Sequence, residues 1–395
     1  MADFVINAKV SKFGPSVTGI TDGEFVAVYT AVTGVNVKGQ RFSSDGALLG
    51  SEFDVNTTTT GDQGLASVAR IRNFSNPGFV VVWMSQRRNV LFQRFNAAGT
   101  KQGGEVKVNT TDANGSHQPA VASLAGGEFV VCWTDARADG GVRAQRYSSN
   151  GTKLGNEIRV DGSPGVHSRP VVSQLDPAGF VVAWLRAEQP GFTPFVRAQV
   201  FEPDGNKLGA EIKGNFSPVD GKMAITFLNN TDTTQIGHFV IVYRTPTNTP
   251  DGAQVLRMVI AALFKPAIEG ATPRELETNV TGRADGTVAD DVSVCALPNS
   301  RVVVVWSETK FEARDQNIKA MILTENDILI TPEPRVGVQI NSVPAGQQRM
   351  PTAALSMLQN REHIGIAWHD DSVSGPDQNV RAVKGRIASG SLQLQ

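Results

Sequence analysis

Polar and aromatic side chains recur at matching places along this 395-residue chain, and their types suit the recognition of sugars. One set of short polar runs follows a column of aromatic residues: Met84-Ser85-Gln86-Arg87, Thr134-Asp135-Ala136-Arg137, Leu185-Arg186-Ala187-Glu188, Ser307-Glu308-Thr309-Lys310 and His369-Asp370-Asp371. A second set ends at Asp62-Gln63, His117-Gln118, Ser168-Arg169, Asp220-Gly221-Lys222, Asp290-Asp291 and Gln348-Arg349. Planar groups stack on sugar rings, and Asp, Asn or Arg fix hydroxyls in shallow repeated sites. The candidate ligand residues are therefore Trp83, Trp133, Trp184, Trp306 and Trp368 with Asp135, Gln118, Arg169, Glu308, Arg349 and Asp370. For the tryptophans, packing between strands is the competing reading, because they alternate with Val on apolar runs.

Nothing in the sequence demands catalysis. The acidic pairs Asp370-Asp371 and Asp290-Asp291 could serve a glycosidase, which needs two carboxylates flanking a sugar. Adjacent acids on a solvated loop are also common. No Gly-x-Ser-x-Gly, phosphate-binding Gly-Lys-Ser/Thr or Ser-x-Asp-x-Gly-x-Thr-Trp run occurs. His117 and His167 fall at similar places in adjacent repeats, but no zinc-ligand spacing supports a metal pair. Asp112-Ala113-Asn114-Gly115 and Asp139-Gly140-Gly141 are partial matches to calcium loops and lack the distal Glu. No cofactor is expected, with calcium the one ion left open.

The element that must position these groups is the run Gly78-Phe79-Val80-Val81-Val82-Trp83. It returns with variations, placing aromatic residues at Tyr29, Trp83, Trp133, Trp184, Tyr243, Trp306 and Trp368. The spacing averages about 56 residues, so seven repeats consume the chain. Each repeat reads as four short strands separated by turn residues. The second strand is apolar on both faces: Phe79, Val81 and Trp83 point one way, Val80 and Val82 the other. Such a strand needs cover on both sides, as between the radially stacked sheets of a propeller. The expected fold is all-β: one seven-bladed β-propeller of four-stranded antiparallel blades over residues 1–395. Residues 3–7 resemble the fourth strand of the other repeats, which ends in Asn or Asp, and are expected to complete the last blade and close the ring. Residues 391–395 compete for that place, with Leu392 and Leu394 alternating. Repeats five and six replace the regular Gly-containing turn with Pro-containing segments, so the second half should be less symmetric.

The pattern Gly78 to Trp83, then Gln93-Arg94-Phe95, then Gly99, Gly103 and Glu105 to Asn109 resembles a repeat of large bacterial secreted and surface proteins of the RTX type. Gln40-Arg41-Phe42 and Gln145-Arg146-Tyr147 repeat its middle element. The resemblance implies a propeller with adhesive or ligand-binding roles, although the calcium-binding nonapeptides of RTX proteins are absent. By blade count alone the architecture also looks like that of seven-bladed propeller lectins.

A net charge of −1 and a pI near 6.5 leave no electrostatic footprint for nucleic acid, and no apolar run reaches the length of a membrane span. The N-terminus has no Sec-type signal pattern. Cys132 and Cys295 lie in different repeats, too far apart to bridge, and read as buried free thiols. The leading functional expectation is a non-enzymatic, lectin-like module with several sites for a glycan or glycoprotein on the loop face or between blades. A protein-interaction or adhesion scaffold and a glycosidase or polysaccharide lyase are the alternatives.

Overall fold

The computed structural model describes residues 3–7, 14–31, 36–72, 77–110, 118–135, 140–162, 164–175, 179–213, 219, 221–228, 238–248, 255–265, 274–279, 287–310, 316–324, 337–341, 348–359, 361–370, 379–388 and 391–394. They form an all-β propeller of four-stranded antiparallel blades. The first sheet runs Ser16–Gly19, Phe25–Thr30, Val37–Phe42 and Leu48–Asp54. The second runs Gln63–Ile71, Gly78–Ser85, Asn89–Asn96 and Lys101–Lys107; the third, Ala120–Ser123, Phe129–Asp135, Gly141–Tyr147 and Lys153–Arg159. The fourth comprises Val166–Leu175, Gly179–Ala187, Phe195–Phe201 and Lys207–Lys213, and the fifth Met223–Leu228, His238–Asn248, Val255–Lys265 and Arg274–Asn279. The sixth holds Thr287–Leu297, Arg301–Lys310, Gln316–Thr324 and Val338–Gln339. The last is built on Gln348–Leu358, Arg361–Asp370 and Asn379–Ala388. The helical content of the described residues is a single turn at Ala125–Gly127.

Seven equal four-stranded blades are thereby corrected. Five sheets are complete blades; the sixth ends in a two-residue outer strand, and the last carries five strands. The cause in the last sheet is an open strand edge. Phe4–Asn7 pairs with Asn379–Ala388 at Ala382, Arg381 and Val380, while Ser391–Leu394 pairs farther along, from Gly385 to Ala388. Both termini thus satisfy backbone groups of one ten-residue strand, end to end.

The buried second strand explains the stacking of the sheets. Phe79, Val81 and Trp83 pack with Val26, Val28 and Val68 of the first and second sheets. Val80 and Val82 pack with Phe129, Val131 and Trp133 of the third. Each Trp removes on the order of 200 Å² from water, worth about 5 kcal/mol as an upper bound. The same contact joins the first sheet to the last, where Ile6, Val17, Phe25 and Tyr29 meet Ala354 and Ala367. There Gly23 also donates its N–H to the Met357 carbonyl at 3.0 Å.

Each motif of the repeat has a bonding role. The Gln of Gln-Arg-Phe pins the turn between strands three and four: Gln93 Nε2 donates to the carbonyls of Arg94, Gln102 and Gly103, and Gln40, Gln145 and Gln199 do the same in their sheets. The Arg crosses to the next sheet, where Arg41 reaches the Ala98 carbonyl and Arg94 the Ser149 carbonyl, both at 3.0 Å. The Phe stacks on strand two, with Phe79 and Phe95 centroids 4.9 Å apart. Gly78 is required there, since a Cβ would sit 2.0 Å from the Phe95 carbonyl oxygen. The residue ending strand four accepts a buried N–H of strand three: Asn56 from Val37, Asn109 from Val90, Asp161 from Val142 and Asn341 from Ile318, at 2.7–2.9 Å. The Glu of strand four holds the preceding sheet, as Glu157 does by accepting from Thr110 N and Oγ1 at 3.2 and 3.0 Å.

The two cysteines are free thiols. Burial pushes Cys295 up to about 12 and Cys132 still higher, from an ordinary 9.0. The native state therefore keeps protons that the unfolded chain releases, so the stability these thiols contribute is lost as pH rises above about 9. Urea midpoints should fall across that range, and less steeply in Cys132→Ala. Gln93→Ala should lower stability by about 2–4 kcal/mol, because three backbone carbonyls lose their donor and a cavity opens; urea unfolding reads this directly.

Candidate functional site

Strand one begins with a bulge that recurs around the molecule. Its pairing with strand two skips between Gly64 and Ser67, Ser168 and Val171, Ala289 and Val292, and Arg349 and Thr352. Leu65, Gln118, Arg169 and Met350 occupy equivalent places and have φ of 53°, 40°, 53° and 53°. A left-handed non-glycine residue costs about 1–2 kcal/mol. Four at one end of the structure concentrate strain there, and such strain gathers at ligand sites. Bulges re-aim side chains out of the regular alternation. Pro170 and Pro351 follow the bulged residue, and Pro119 follows Gln118 just ahead of the third sheet; a proline has no N–H to leave unpaired.

These bulges converge on one cavity of about 350 Å³. Its lining comes from the leading strands of six sheets: Gly14 and Pro15; Leu65 and Ala66; Gln118, Pro119 and Ala120; Arg169, Pro170 and Val171; Lys222 and Met223; and Met350. Asp291 of the sixth sheet holds two residues of this lining, pairing with Lys222 Nζ at 3.4 Å and accepting the Met350 N–H at 3.1 Å. One wall is apolar (Gly14, Leu65, Met350) and the other polar (Gln118, Arg169, Lys222). Gln118 Oε1 accepts the Arg169 N–H at 2.8 Å, which orients both residues, while the Arg169 side chain is exposed. On the same end of the fourth sheet, Phe192 and Phe195 are 59% and 39% exposed. Their loop is tied down by Val219 donating to the Pro194 carbonyl at 3.0 Å. In register, Phe195 faces Arg186, which faces His167, two residues before Arg169. At about 4.8 Å per strand, that row puts Phe195 roughly 10 Å from strand one.

Of the residues expected from sequence, Gln118 and Arg169 meet in this cavity, and Arg349 adjoins it, donating Nε to Gln316 Oε1 at 3.1 Å. The tryptophans do not face it. Trp83, Trp133, Trp184, Trp306 and Trp368 are at most 1% exposed and pack between sheets, which corrects their role as a sugar platform. Trp83 Nε1 donates to Gln63 Oε1 at 2.9 Å and Trp306 Nε1 to Glu308 Oε2 at 3.1 Å, so Glu308 is held by the core. Asp135 is buried against Arg143 Nε at 2.8 Å, and Asp370 is buried opposite Gln348. Strand two runs two or more residues past the aromatic, so these acids lie inside it rather than on a loop.

Asp290 pairs with Arg244. His167 is buried, and desolvation pushes its imidazole below the usual range. His117, the segment 112–115, Asp139 and Asp371 lie outside the described residues. Among the described residues no three His, Cys, Asp or Glu side chains cluster closely enough to hold a metal, and no helix is long and apolar enough to cross a membrane. Lys222 and Asp291 stood in the second set of polar runs but not among the candidate ligand residues, and Phe192 was not singled out. The signal for the first two was position, immediately before the residue opposite each aromatic.

No protein-family model and no curated protein matches the chain. Among solved structures it is similar to an α-L-arabinofuranosidase of Fusarium graminearum in complex with an iminosugar inhibitor, at 10% identity and a TM-score of 0.53, covering 83% of this chain and 99% of that one. It is similar to a polysaccharide lyase at 8% identity and a TM-score of 0.52, covering 94% and 90%. A fucose-specific lectin from Aleuria aurantia matches at 10% identity and a TM-score of 0.45, covering 98% and 96%. These likenesses concern the fold. They correct the RTX-type resemblance, which finds no counterpart among them, and the link to seven-bladed lectins rests on no strong superposition.

The strain at the bulge yields a direct expectation. Arg169→Gly should leave stability unchanged or raise it by up to about 1 kcal/mol, whereas Arg→Gly inside an ordinary strand destabilises. Chemical denaturation distinguishes the two.

Proposed function

We propose that the convergent cavity is a carbohydrate-binding site and that the protein is a non-catalytic binding module for a glycan or glycoprotein. The observation that carries this reading is the pairing of a polar arc, Gln118, Arg169 and Lys222, with exposed aromatic rings at Phe192 and Phe195 on the same end. Hydrogen-bonding groups beside an aromatic face suit the two sides of a sugar ring. The likeness in fold to an arabinofuranosidase and a polysaccharide lyase supports a carbohydrate ligand and leaves the reaction open.

Binding is favoured over hydrolysis by the composition of the lining. A glycosidase uses two carboxylates about 5–9.5 Å apart. The described lining holds no carboxylate, and Asp291, bonded to two lining residues, is engaged by Lys222 and the Met350 N–H. A single site is favoured over several, because the charged groups lining the cleft between the third and fourth sheets engage each other, Arg146 pairing with Glu128 at 3.0 Å. In this reading residues 1–395 act as one propeller, its ring closed where Phe4–Asn7 joins the last sheet, and no calcium is needed.

A glycan array with labelled protein, with and without chelator, tests the reading. Selective binding to one sugar class is expected, unchanged by chelator and weakened about tenfold or more in Phe192→Ala. A blank array under both conditions would overturn it in favour of a protein partner.

A further inference from the structure

We propose that Arg169 and Lys222 form an anion seat, and that the ligand carries a negative group there, a uronate carboxylate or a sulfate ester. The proposal rests on the carbohydrate reading for the identity of the ligand and on the cavity's own charges for its sign.

Neighbouring sheets present the two cations to one cavity. Among the described residues the Arg169 guanidinium has no hydrogen-bond or ion-pair partner; its backbone N–H alone is engaged, by Gln118. That backbone is held at a φ of 53° ahead of Pro170, so the geometry of the bulge fixes where the side chain leaves the strand. An exposed arginine elsewhere in the chain is commonly engaged, as Arg87 is with Asp62 at 3.6 Å and Arg186 with the Pro164 carbonyl at 2.7 Å. Lys222 is balanced by Asp291, whose second carboxylate oxygen accepts the Met350 N–H. Asp290 is taken by Arg244. Among the described residues the polar wall therefore keeps one positive charge without an ion-pair partner. A guanidinium binds carboxylate or sulfate through two parallel N–H donors, a geometry a neutral hydroxyl cannot match. The apolar wall of Leu65 and Met350 lowers the local dielectric and strengthens that contact.

Isothermal titration calorimetry with four probes decides the matter: a galacturonate pentamer, the neutral galactose pentamer, a sulfated galactose pentamer and inorganic sulfate. An acidic pentamer should bind about tenfold or more tightly than the neutral one, more weakly as salt rises, and should lose about tenfold in Arg169→Gln. Lys222→Met should lose less, since Asp291 already balances that charge. Preference for galacturonate over the sulfated sugar, or the reverse, identifies the group. Equal binding of neutral and acidic pentamers, or an equal loss for both in Arg169→Gln, would overturn the anion seat and leave the carbohydrate reading standing. Arg169-dependent binding of inorganic sulfate with no binding of any sugar would support the seat and overturn the carbohydrate reading. No binding of any probe would overturn both. Arg169 is exposed, so thermal melting of the variants should match the parent and separate lost binding from lost folding.

Discussion

A strand that is apolar on both faces cannot lie on a surface, and the architecture follows from satisfying it. Phe79, Val81 and Trp83 need one covering sheet, and Val80 and Val82 need another. Each repeat therefore both covers and is covered. The polar motifs then set how the sheets sit. Glutamines pin the outer hairpins, arginines bridge to the next sheet and glutamates to the preceding one, and Asn or Asp caps the buried N–H of strand three. No single bond of this kind is worth more than a few kcal/mol, but their repetition fixes the stagger between sheets.

The same constraint generates the site. Because the second strands occupy the interior between sheets, the leading strands are left to meet one another. Their bulges turn Leu65, Gln118, Arg169 and Met350 out of the regular alternation and into a shared cavity. The strain of four left-handed residues is borne by the packing around them. Divergence between repeats, which leaves the stacking intact, makes this cavity one-sided: apolar at Leu65 and Met350, polar from Gln118 to Lys222.

Much of the fold was legible because periodicity is a property of the chain itself. The alternation of Phe79 to Trp83 announced a strand covered on both sides, and Asp3 to Asn7 matched the outer strands it resembles. The outer strands were less legible. Pairing at an open edge depends on which segment arrives there, and on Asn379–Ala388 both termini do. The site was legible in part. Gln118 and Arg169 were visible as loop-end polar residues, but Asp135 and Asp370 were misplaced. A sequence shows where the apolar run stops, not where the strand stops, and these acids continue the strand into the interior. Lys222 was visible as the end of a polar run, but its part in the cavity was not, because the direction of a side chain there depends on backbone geometry at the start of strand one, which residue types alone do not encode.

The central claim is that a ligand binds where the leading strands converge. A crystal structure of the protein with a bound acidic oligosaccharide tests it most directly. Density for a carboxylate or sulfate is expected between Arg169 and Lys222, with a following sugar ring toward Phe192. Density instead in the cleft between the third and fourth sheets, beside Glu128 and Arg146, would contradict it.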